Sequence, residues 1–261
     1  MIEYPNLKII ADDLGLYKSV NDGIIFLLRE GKVDGASLMA NGEAFDHALD
    51  VLGDLPDANI GVHLVLVEER SLSGINLPRD HRIFFIKYVL GMIELADIEQ
   101  ELKAQIDKII QAGIRPGFIN GHQHLHLLPG IMNICIKLAI ERDIQYIRIV
   151  NEPVGLSGGK LFRKLQLLFL NFLSVAAKKK IRRAGLQCND YFVGFVNAGS
   201  LNKNDIKESK KLAEEYPDKI IELGCHPGYK DEELKEKYGH WENYDWQKEK
   251  ELLENHENFL L

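Results

Sequence analysis

Short apolar runs alternate along the chain with segments in which apolar residues recur every three or four positions. Runs of this length are typical of buried strands, and the longer spacing is typical of helices that bury one face. The apolar runs predict seven strands: Lys8–Ala11, Ala36–Ala40, Ile60–Leu66, Pro116–Asn120, Gln145–Val150, Tyr191–Val196 and Lys219–Cys225. Strands that alternate with helices in this way indicate a parallel β/α architecture.

Two of the segments between the strands show the helical spacing clearly. The first carries an apolar stripe at Val20, Ile24, Leu27 and Leu28. Gly31 follows this stripe and is a suitable C-cap residue, because glycine adopts the left-handed conformation that often ends a helix. The second segment carries a stripe at Ile98, Leu102, Ile106, Ile109 and Ile110. Both stripes predict helices that pack one face against the sheet.

The length of 261 residues suits one large β/α domain. Neither an internal repeat nor a linker rich in Gly, Ser or Pro interrupts the alternation, so we expect a single domain over residues 1–261. Residues 68–93 begin irregularly and are predicted to form a long loop insertion over one end of the domain. A nearly closed barrel and an open doubly wound sheet both fit seven strands.

Composition narrows the functional classes. Hydrophobic residues make up 46% of the chain and charged residues 27%, a balance typical of globular proteins. The formal net charge of −7 argues against a nucleic-acid-binding protein, which usually carries a basic excess. The three cysteines lack CxxC spacing, so neither disulfides nor a thiolate metal site is expected. Because no secretory signal or spanning apolar stretch is evident, we expect a cytoplasmic protein.

The unusual polar side chains lie in the predicted strands or directly after them. They are Asp12 and Asp13 after the first strand, His63 in the third, His122, His124 and His126 after the fourth, and His226 after the seventh. The carboxyl ends of the strands form the active-site face of a β/α barrel, so four strands direct these groups towards one rim. Each group alone has an ordinary explanation, such as a helix cap, a core histidine or a turn residue. Their joint placement favours a functional site.

Two histidines and one carboxylate form a common mononuclear metal site with positions left open for water and substrate. We expect one divalent ion, and the residues do not choose among Zn²⁺, Mg²⁺, Co²⁺, Ni²⁺, Mn²⁺ and Fe²⁺. Such an ion activates water and polarises a carbonyl, while a nearby carboxylate and imidazole can act as base and acid. This inventory suits hydrolysis of an amide or ester. A phosphoesterase with two or three metals and a non-catalytic sugar-binding protein are the alternatives.

Five segments resemble one known family in order and spacing: ADDLGLYKSVNDGI at 11–24, SLMANGEAFDHA at 37–48, GVHLVL at 61–66, GHQHLHLLP at 121–129 and CHPGY at 225–229. They are similar to the YdjC-like carbohydrate deacetylases, which include chitooligosaccharide and hopanoid-biosynthesis deacetylases. The resemblance runs over nearly the whole chain. It implies an irregular, incomplete TIM-like (β/α) barrel and metal-dependent removal of acetyl from an N-acetylglucosamine-type unit.

The resemblance also implies roles for individual residues. Asp13, His63 and His122 match the metal ligands of the family, Asp12 matches the catalytic base, and His226 matches the catalytic acid. Four further residues are weaker candidates for groups that contact the substrate or support the metal ligands: Asn120, His124, His126 and Arg148. Whether His122 or His124 is the third metal ligand stays open.

The carrier of the sugar also stays open between a small N-acetylated glycan and a lipid-linked amino sugar. Asn120 stands where many family members have an acidic residue, and residues 181–199 resemble the hopanoid-type branch. Residues 159–186 combine an apolar stretch with five closely spaced cations, a composition seen in helices that lie on anionic membranes. A barrel helix with a solvated basic end is the simpler interpretation. Peripheral contact with the inner membrane face and homodimer formation both stay open.

Overall fold

Seven parallel strands form a single sheet in the computed structural model, which describes residues 4–154, 161–241 and 244–255. The seven predicted strands are confirmed, with somewhat different ends. They are β1 (Leu7–Leu14), β2 (Gly35–Leu38), β3 (Ile60–Leu64), β4 (Phe118–Gly121), β5 (Tyr146–Ile147), β6 (Tyr191–Val193) and β7 (Ile221–Cys225). The order across the sheet is β5-β4-β3-β2-β1-β7-β6.

The sheet curls into a half-barrel with flanking helices, which confirms the incomplete barrel and excludes an open doubly wound sheet. β5 and β6 form its two edges. An isolated bridge joins Tyr146 and Gln187 across the gap between them. The Asn189 side chain accepts a hydrogen bond from the backbone N–H of Ile149 at 2.8 Å and donates one to its carbonyl at 2.7 Å. These bonds satisfy backbone groups that another strand would otherwise bind.

Helices flank the sheet on its outer side, as the alternating pattern predicts. In the part of the chain that the structure describes they are α1 (Lys18–Arg29), α2 (Phe45–Leu52), α3 (His81–Val89), α4 (Leu95–Gln111), α5 (Pro129–Glu141), α6 (Leu161–Arg183), α7 (Lys203–Glu215), α8 (Glu232–Lys237) and α9 (Trp246–Glu254). A short 3₁₀ segment, His122–Leu127, follows β4 directly.

The predicted apolar stripes are largely confirmed. α1 buries three of its four stripe residues, and Gly31 beyond its end has φ +64°, as a C-cap glycine should. α4 buries four of its five stripe residues. The fifth, Ile110, is 38% exposed, because it directly follows buried Ile109 and successive helical residues point about 100° apart.

The predicted loop at 68–93 was wrong for its second half, which forms α3. The Asp80 side chain caps this helix by accepting hydrogen bonds from the backbone N–H groups of Arg82 and Ile83, at 2.8 and 2.9 Å. The helix escaped the sequence analysis because its apolar residues are nearly consecutive and form no one-sided stripe. Its neighbour in the domain, α6, lies within the predicted basic segment, of which residues 159–160 fall outside the described residues.

The helices of the described segments include none that is both long enough and apolar enough to cross a membrane.

Candidate active site

The end of β1 brings two consecutive carboxylates to the same site. Neighbouring side chains of a regular strand point to opposite faces of the sheet. Asp13, however, has φ +66°, and the register between β1 and β2 shifts between Ala11 and Leu14. This irregularity turns the chain so that Asp12 and Asp13 both contact the polar residues of β3 and β4. Aspartate tolerates this left-handed conformation better than most residues do.

Asp13, His63 and His122 converge on one point. Asp13 Oδ1 lies 3.2 Å from His63 Nε2 and 3.2 Å from His122 Nδ1, and the two histidine nitrogens are 3.4 Å apart. All three side chains are buried, and Asp13 Oδ2 has no hydrogen-bond partner. One carboxylate and two imidazoles are ligands that first-row divalent metals accept. The group could therefore bind a divalent metal ion, and no other set of His, Cys, Asp or Glu among the described residues converges as closely.

The neighbours of His63 fix which of its nitrogens faces the group. His63 on β3 and Asn120 on β4 are in register, and His63 Nδ1 lies 2.7 Å from Asn120 Oδ1. The Asn120 amide nitrogen donates to Asp12 Oδ1 at 2.9 Å, so the amide oxygen is the atom that faces His63. Since an amide oxygen only accepts, Nδ1 carries a proton, and Nε2 is the nitrogen that faces Asp13 and His122. Asn120 therefore contacts both His63 and Asp12.

His122 is held from its other side by Glu68, a residue that the sequence analysis missed. Glu68 Oε2 lies 3.1 Å from His122 Nε2, opposite the nitrogen that faces Asp13. Burial disfavours the charged imidazole, but the hydrogen bonds to Asp13 and Glu68 outweigh it and raise the pKa of His122 to about 10. Carboxylates commonly orient metal-binding histidines in this way. The sequence feature that could have identified Glu68 is its position as an acidic residue directly after the apolar run of β3.

Asp13 carries the charge that the two histidines balance. Burial raises its pKa, but the hydrogen bonds to His122 and His63 hold the pKa of Asp13 well below its ordinary value. The carboxylate is therefore ionised, as a metal ligand must be.

Asp12 lies in a dense network of hydrogen bonds. Its Oδ1 accepts from Ser37 at 2.8 Å, from Asn120 at 2.9 Å and from one Arg148 nitrogen at 3.0 Å, while Oδ2 accepts from a second Arg148 nitrogen. Burial opposes ionisation, but Arg148 outweighs it and holds the pKa of Asp12 well below its ordinary value. Arg148 is itself fully buried and also pairs with Glu222 on β7. It therefore lies behind Asp12 rather than on a surface open to substrate.

His226 follows β7, as predicted, and it is linked to the site through Tyr244, which packs against the Trp241 ring beside His122. Its backbone N–H donates to Glu249 Oε2 at 2.6 Å, which fixes the turn after the strand. The side-chain nitrogen Nδ1 is buried without a hydrogen-bond partner, and the nearest acidic atom is Glu249 Oε2 at 3.9 Å. The ring packs edge-on against Tyr244 at 5.1 Å.

His124 and His126 do not join the Asp13 group. Gln123 and His124 have positive φ, so the chain turns sharply after His122 and the three imidazoles do not share one face. The His124 ring packs between Phe192 and Phe195, 5.8 and 5.5 Å away, and burial holds its pKa well below the ordinary value. His126 Nε2 lies 3.0 Å from the carbonyl of Arg148, and burial lowers its pKa to about 3. His122 is thus the imidazole that the structure places beside Asp13 and His63.

An aromatic cluster that the sequence analysis also missed borders the site. The Trp241 ring lies 5.4 Å from His122 and packs against Tyr238 at 4.7 Å and Tyr244 at 4.8 Å. Trp241 is partly exposed, so the cluster presents an aromatic face beside the Asp13, His63 and His122 group. Its signal was the concentration of aromatic residues between Tyr238 and Trp246.

Comparison with known proteins relates this arrangement to a family. The family described as YdjC-like protein matches residues 6–258. A carbohydrate deacetylase of Oceanobacillus iheyensis is 29% identical over 253 residues, which cover 94% of this chain and 94% of that protein. A carbohydrate deacetylase of Brevibacillus brevis is 35% identical over 147 residues, which cover 52% of this chain and 56% of that protein.

A solved structure from Enterococcus faecalis V583, whose proposed assignment is cellobiose-phosphate cleavage, shares the fold. It superposes with a TM-score of 0.69 and 19% sequence identity, over 97% of this chain and 93% of that one.

Proposed function

Because the chain belongs to the YdjC-like protein family, we propose that it is a carbohydrate N-deacetylase that removes acetyl from an N-acetylglucosamine-type unit. The observation that carries the proposal is the buried Asp13, His63 and His122 group with the ionised Asp12 beside it. Amide hydrolysis needs an activated water, a polarised carbonyl and a proton for the departing nitrogen. The residues of the site can supply each of these.

Asp13, His63 and His122 would hold one divalent metal ion, since their donor atoms already face one another and Asp13 Oδ2 is free of hydrogen bonds. A bound divalent ion polarises a carbonyl oxygen and lowers the pKa of a water molecule. Asn120 and Glu68 keep the two imidazoles in the orientation that binding requires. One group of this kind suits mononuclear hydrolysis better than a phosphoesterase centre with two metals, which needs more ligands.

Asp12 would act as the general base. Arg148 keeps the carboxylate ionised, and Ser37 and Asn120 fix its orientation. The same contacts keep Asp12 unprotonated but lower its basicity, so the proton it accepts would have to come from a water whose own pKa a bound divalent ion lowers.

His226 would act as the general acid that protonates the departing amine. An amine is a poor leaving group until it is protonated, so a proton donor is required on the nitrogen side of the substrate. The His226 ring packs against Tyr244, and its Nδ1 has no hydrogen-bond partner, so this nitrogen could donate to the substrate. The aromatic face of Trp241 and its neighbours would line the sugar-binding side of the site.

Acetate release from a chitin dimer tests the proposal. We expect the metal-free protein to be inactive, activity to return when a divalent ion is added, and about one ion to bind per chain. His63→Ala should remain folded but lose both metal and activity, because it removes one of three ligands. His47→Ala changes a histidine outside the site and should retain both.

The result that would overturn the proposal is hydrolysis of phosphate esters without acetate release from any N-acetylated sugar. Full metal content in His63→Ala would instead reject the ligand assignment.

A further inference from the structure

Large apolar side chains are concentrated on one outer surface of the protein. Eighteen large apolar residues of the described chain are exposed, and thirteen of them lie in residues 83–92 and 161–175. We call these thirteen the α3–α6 surface: Ile83, Phe85, Ile86, Val89, Leu90, Met92, Leu161, Phe162, Leu165, Leu168, Phe169, Phe172 and Val175. The two parts meet where the Phe85 ring contacts the Phe169 ring at 5.8 Å. Exposed apolar patches of this kind mark interaction sites.

One face of α6 changes from apolar to cationic along its length. Leu161, Leu165, Leu168, Phe172 and Val175 follow one another three or four positions apart, so they share a stripe on the helix. All of them are more than half exposed. The same spacing continues at positions 179 and 183, which are an exposed lysine and an exposed arginine.

α3 and α6 carry positive but no negative side chains. α3 contains two lysines or arginines and α6 contains seven, and neither helix contains Asp or Glu. This segregation is unusual in a chain whose net charge is −7. Asp190 pairs with Lys178 and Arg182, whereas the exposed cations at 179 and 183 point along the open stripe. A surface without acidic groups fits an anionic partner.

The α3–α6 surface borders the active-site end of the barrel. Asn171 exchanges hydrogen bonds with the backbone of Glu152, which lies beyond the end of β5, so residues 161–170 extend past the strand ends. Arg163 donates to the carbonyl of Phe195 and lies over its ring at 4.1 Å. The Phe195 ring in turn packs against His124, two residues after the metal-binding His122.

We propose that the α3–α6 surface docks the protein on an anionic lipid bilayer. The apolar stripe would enter the interface while the cations of α6 contact lipid phosphates, as in helices that lie on membranes without crossing them. A second copy of the chain is the less suitable occupant, because a two-fold contact would bring two acid-free cationic surfaces together. Docking would hold the active-site end near the headgroups. Resting on the proposed function, this placement suits an N-acetylated sugar carried by a lipid.

Co-sedimentation of the full chain with vesicles tests the proposal. We expect binding to phosphatidylcholine vesicles that contain phosphatidylglycerol, and weak binding to pure phosphatidylcholine. Phe162→Ser/Phe172→Ser should reduce the binding by on the order of tenfold for each phenylalanine removed from the interface. Ile140→Ser changes an apolar residue on α5 that is also more than half exposed, and the variant should bind like the wild type.

Charge reversal tests the cationic part of the same surface. Lys179→Glu/Arg183→Glu should weaken binding to the anionic vesicles by about tenfold or more. Lys207→Glu/Lys211→Glu makes the same change at the same spacing on α7, and its binding should stay close to that of the wild type. None of these variants should alter acetate release from a soluble chitin dimer, which separates a failure of docking from a failure of the proposed activity.

Three results would overturn the docking proposal. The first is no sedimentation of the wild type with anionic vesicles, and the second is undiminished binding of Phe162→Ser/Phe172→Ser. The third is a wild-type dimer in sedimentation velocity that the same double variant converts to a monomer, without vesicle binding by either. That third result would assign the surface to contact between copies of the chain.

Discussion

Asp12 accepts four hydrogen bonds, two of them from Arg148. The position of the side chain and its ability to take a proton can therefore be tested separately. Asp12→Asn would keep the shape and most contacts of the side chain but could not take a proton from water. We expect normal metal content and deacetylation slower by ~10²–10⁴-fold, the usual scale for general acid–base catalysis. Metal analysis and initial rates of acetate release measure both quantities.

Ser37→Ala is the matched control for this change, since it removes one hydrogen bond to Asp12 but leaves the carboxylate in place. Its loss of rate should be much smaller. Near wild-type turnover by Asp12→Asn would mean that the base is another residue.

Glu68 offers a test of how the metal site is supported. Glu68→Gln keeps the size of the side chain but removes the charge opposite His122, so the imidazole is oriented less firmly. We expect metal affinity to fall by about 10–100-fold, as for other carboxylates behind metal-binding histidines. Titration with a metal indicator gives the affinity. Glu69→Gln is the control, because the Glu69 carboxylate accepts from Tyr238 and does not contact the histidines; equal losses in both variants would contradict the role of Glu68.

His226 should be needed to cleave an amide bond but not to cleave an activated ester bond. His226→Ala should retain metal but lose most of its activity on an N-acetylated sugar, whose amine must be protonated before it leaves. An activated acetyl ester has a leaving group that needs little protonation, so its hydrolysis should be far less affected. The measurement is the ratio of the two rates in the variant and the wild type. Equal losses on amide and ester would exclude the acid role.

The residue types of the site could be predicted from the sequence, but their pairing could not. Asp12, Asp13, His63, His122 and His226 were evident from their positions in or after strands. The left-handed turn at Asp13 and the turn after His122 depend on tertiary contacts, and no spacing rule predicts them. Glu68 and Trp241 reach the site from the connections after β3 and α8, whose course depends on tertiary contacts and not on a repeating pattern.

At the scale of elements, Asp190 joins the basic end of α6 to the sheet. Its carboxylate accepts from Lys178 at 2.7 Å, from Arg182 at 2.8 Å and from the backbone N–H of Ile220 at 3.1 Å. Burial opposes the charge, but Lys178 and this backbone bond outweigh it and lower the pKa of Asp190. Because folding lowers the pKa of Asp190, the carboxylate contributes fully to the free energy of unfolding above its unfolded pKa of about 4. This contribution is lost as the pH falls below that value.

Asp190→Asn should therefore lower the melting temperature at neutral pH and weaken its dependence on pH below about 4. A loss of ~1–3 kcal/mol in the free energy of unfolding is the usual scale for hydrogen bonds to a charged group. Thermal unfolding between pH 3 and 7 measures both effects. Asp57→Asn, at an exposed aspartate in the turn before β3, should change neither. An Asp190→Asn variant as stable as the wild type would show that the contact contributes nothing.

Elements with a regular apolar pattern were predicted well, and those without one were not. The seven strands and the stripes of α1 and α4 follow from burial of one face or of both faces. α3 lacks such a stripe, and its exposed phenylalanine and isoleucine side chains made the segment look irregular. Because apolar residues lie on the exposed as well as the buried side of α3, the hydrophobic pattern does not predict this helix.

At the scale of the molecule, the incomplete closure of the barrel was beyond prediction from the residues alone. A count of seven strands fits both a barrel and an open sheet, and the choice depends on how far the sheet curls. The edges β5 and β6 stay apart and are joined by the Asn189 side chain and single backbone bonds. The Asn189 side chain makes hydrogen bonds that a further strand would otherwise make, and a single side chain leaves no periodic pattern in the sequence.

Arg148 connects the two sides of this gap through the interior of the barrel. It lies beyond β5 at one edge, yet it pairs with Asp12 on β1 and with Glu222 on β7, next to the other edge. Tyr146 of β5 also donates to Glu222, at 2.6 Å. Descendants of this protein can therefore not exchange the acidic residue at position 12 freely, because the same carboxylate neutralises the cation that ties the barrel together. Evolution of a new reaction at this site would have to replace positions 12 and 148 together, or accept an arginine left buried beside a single partner.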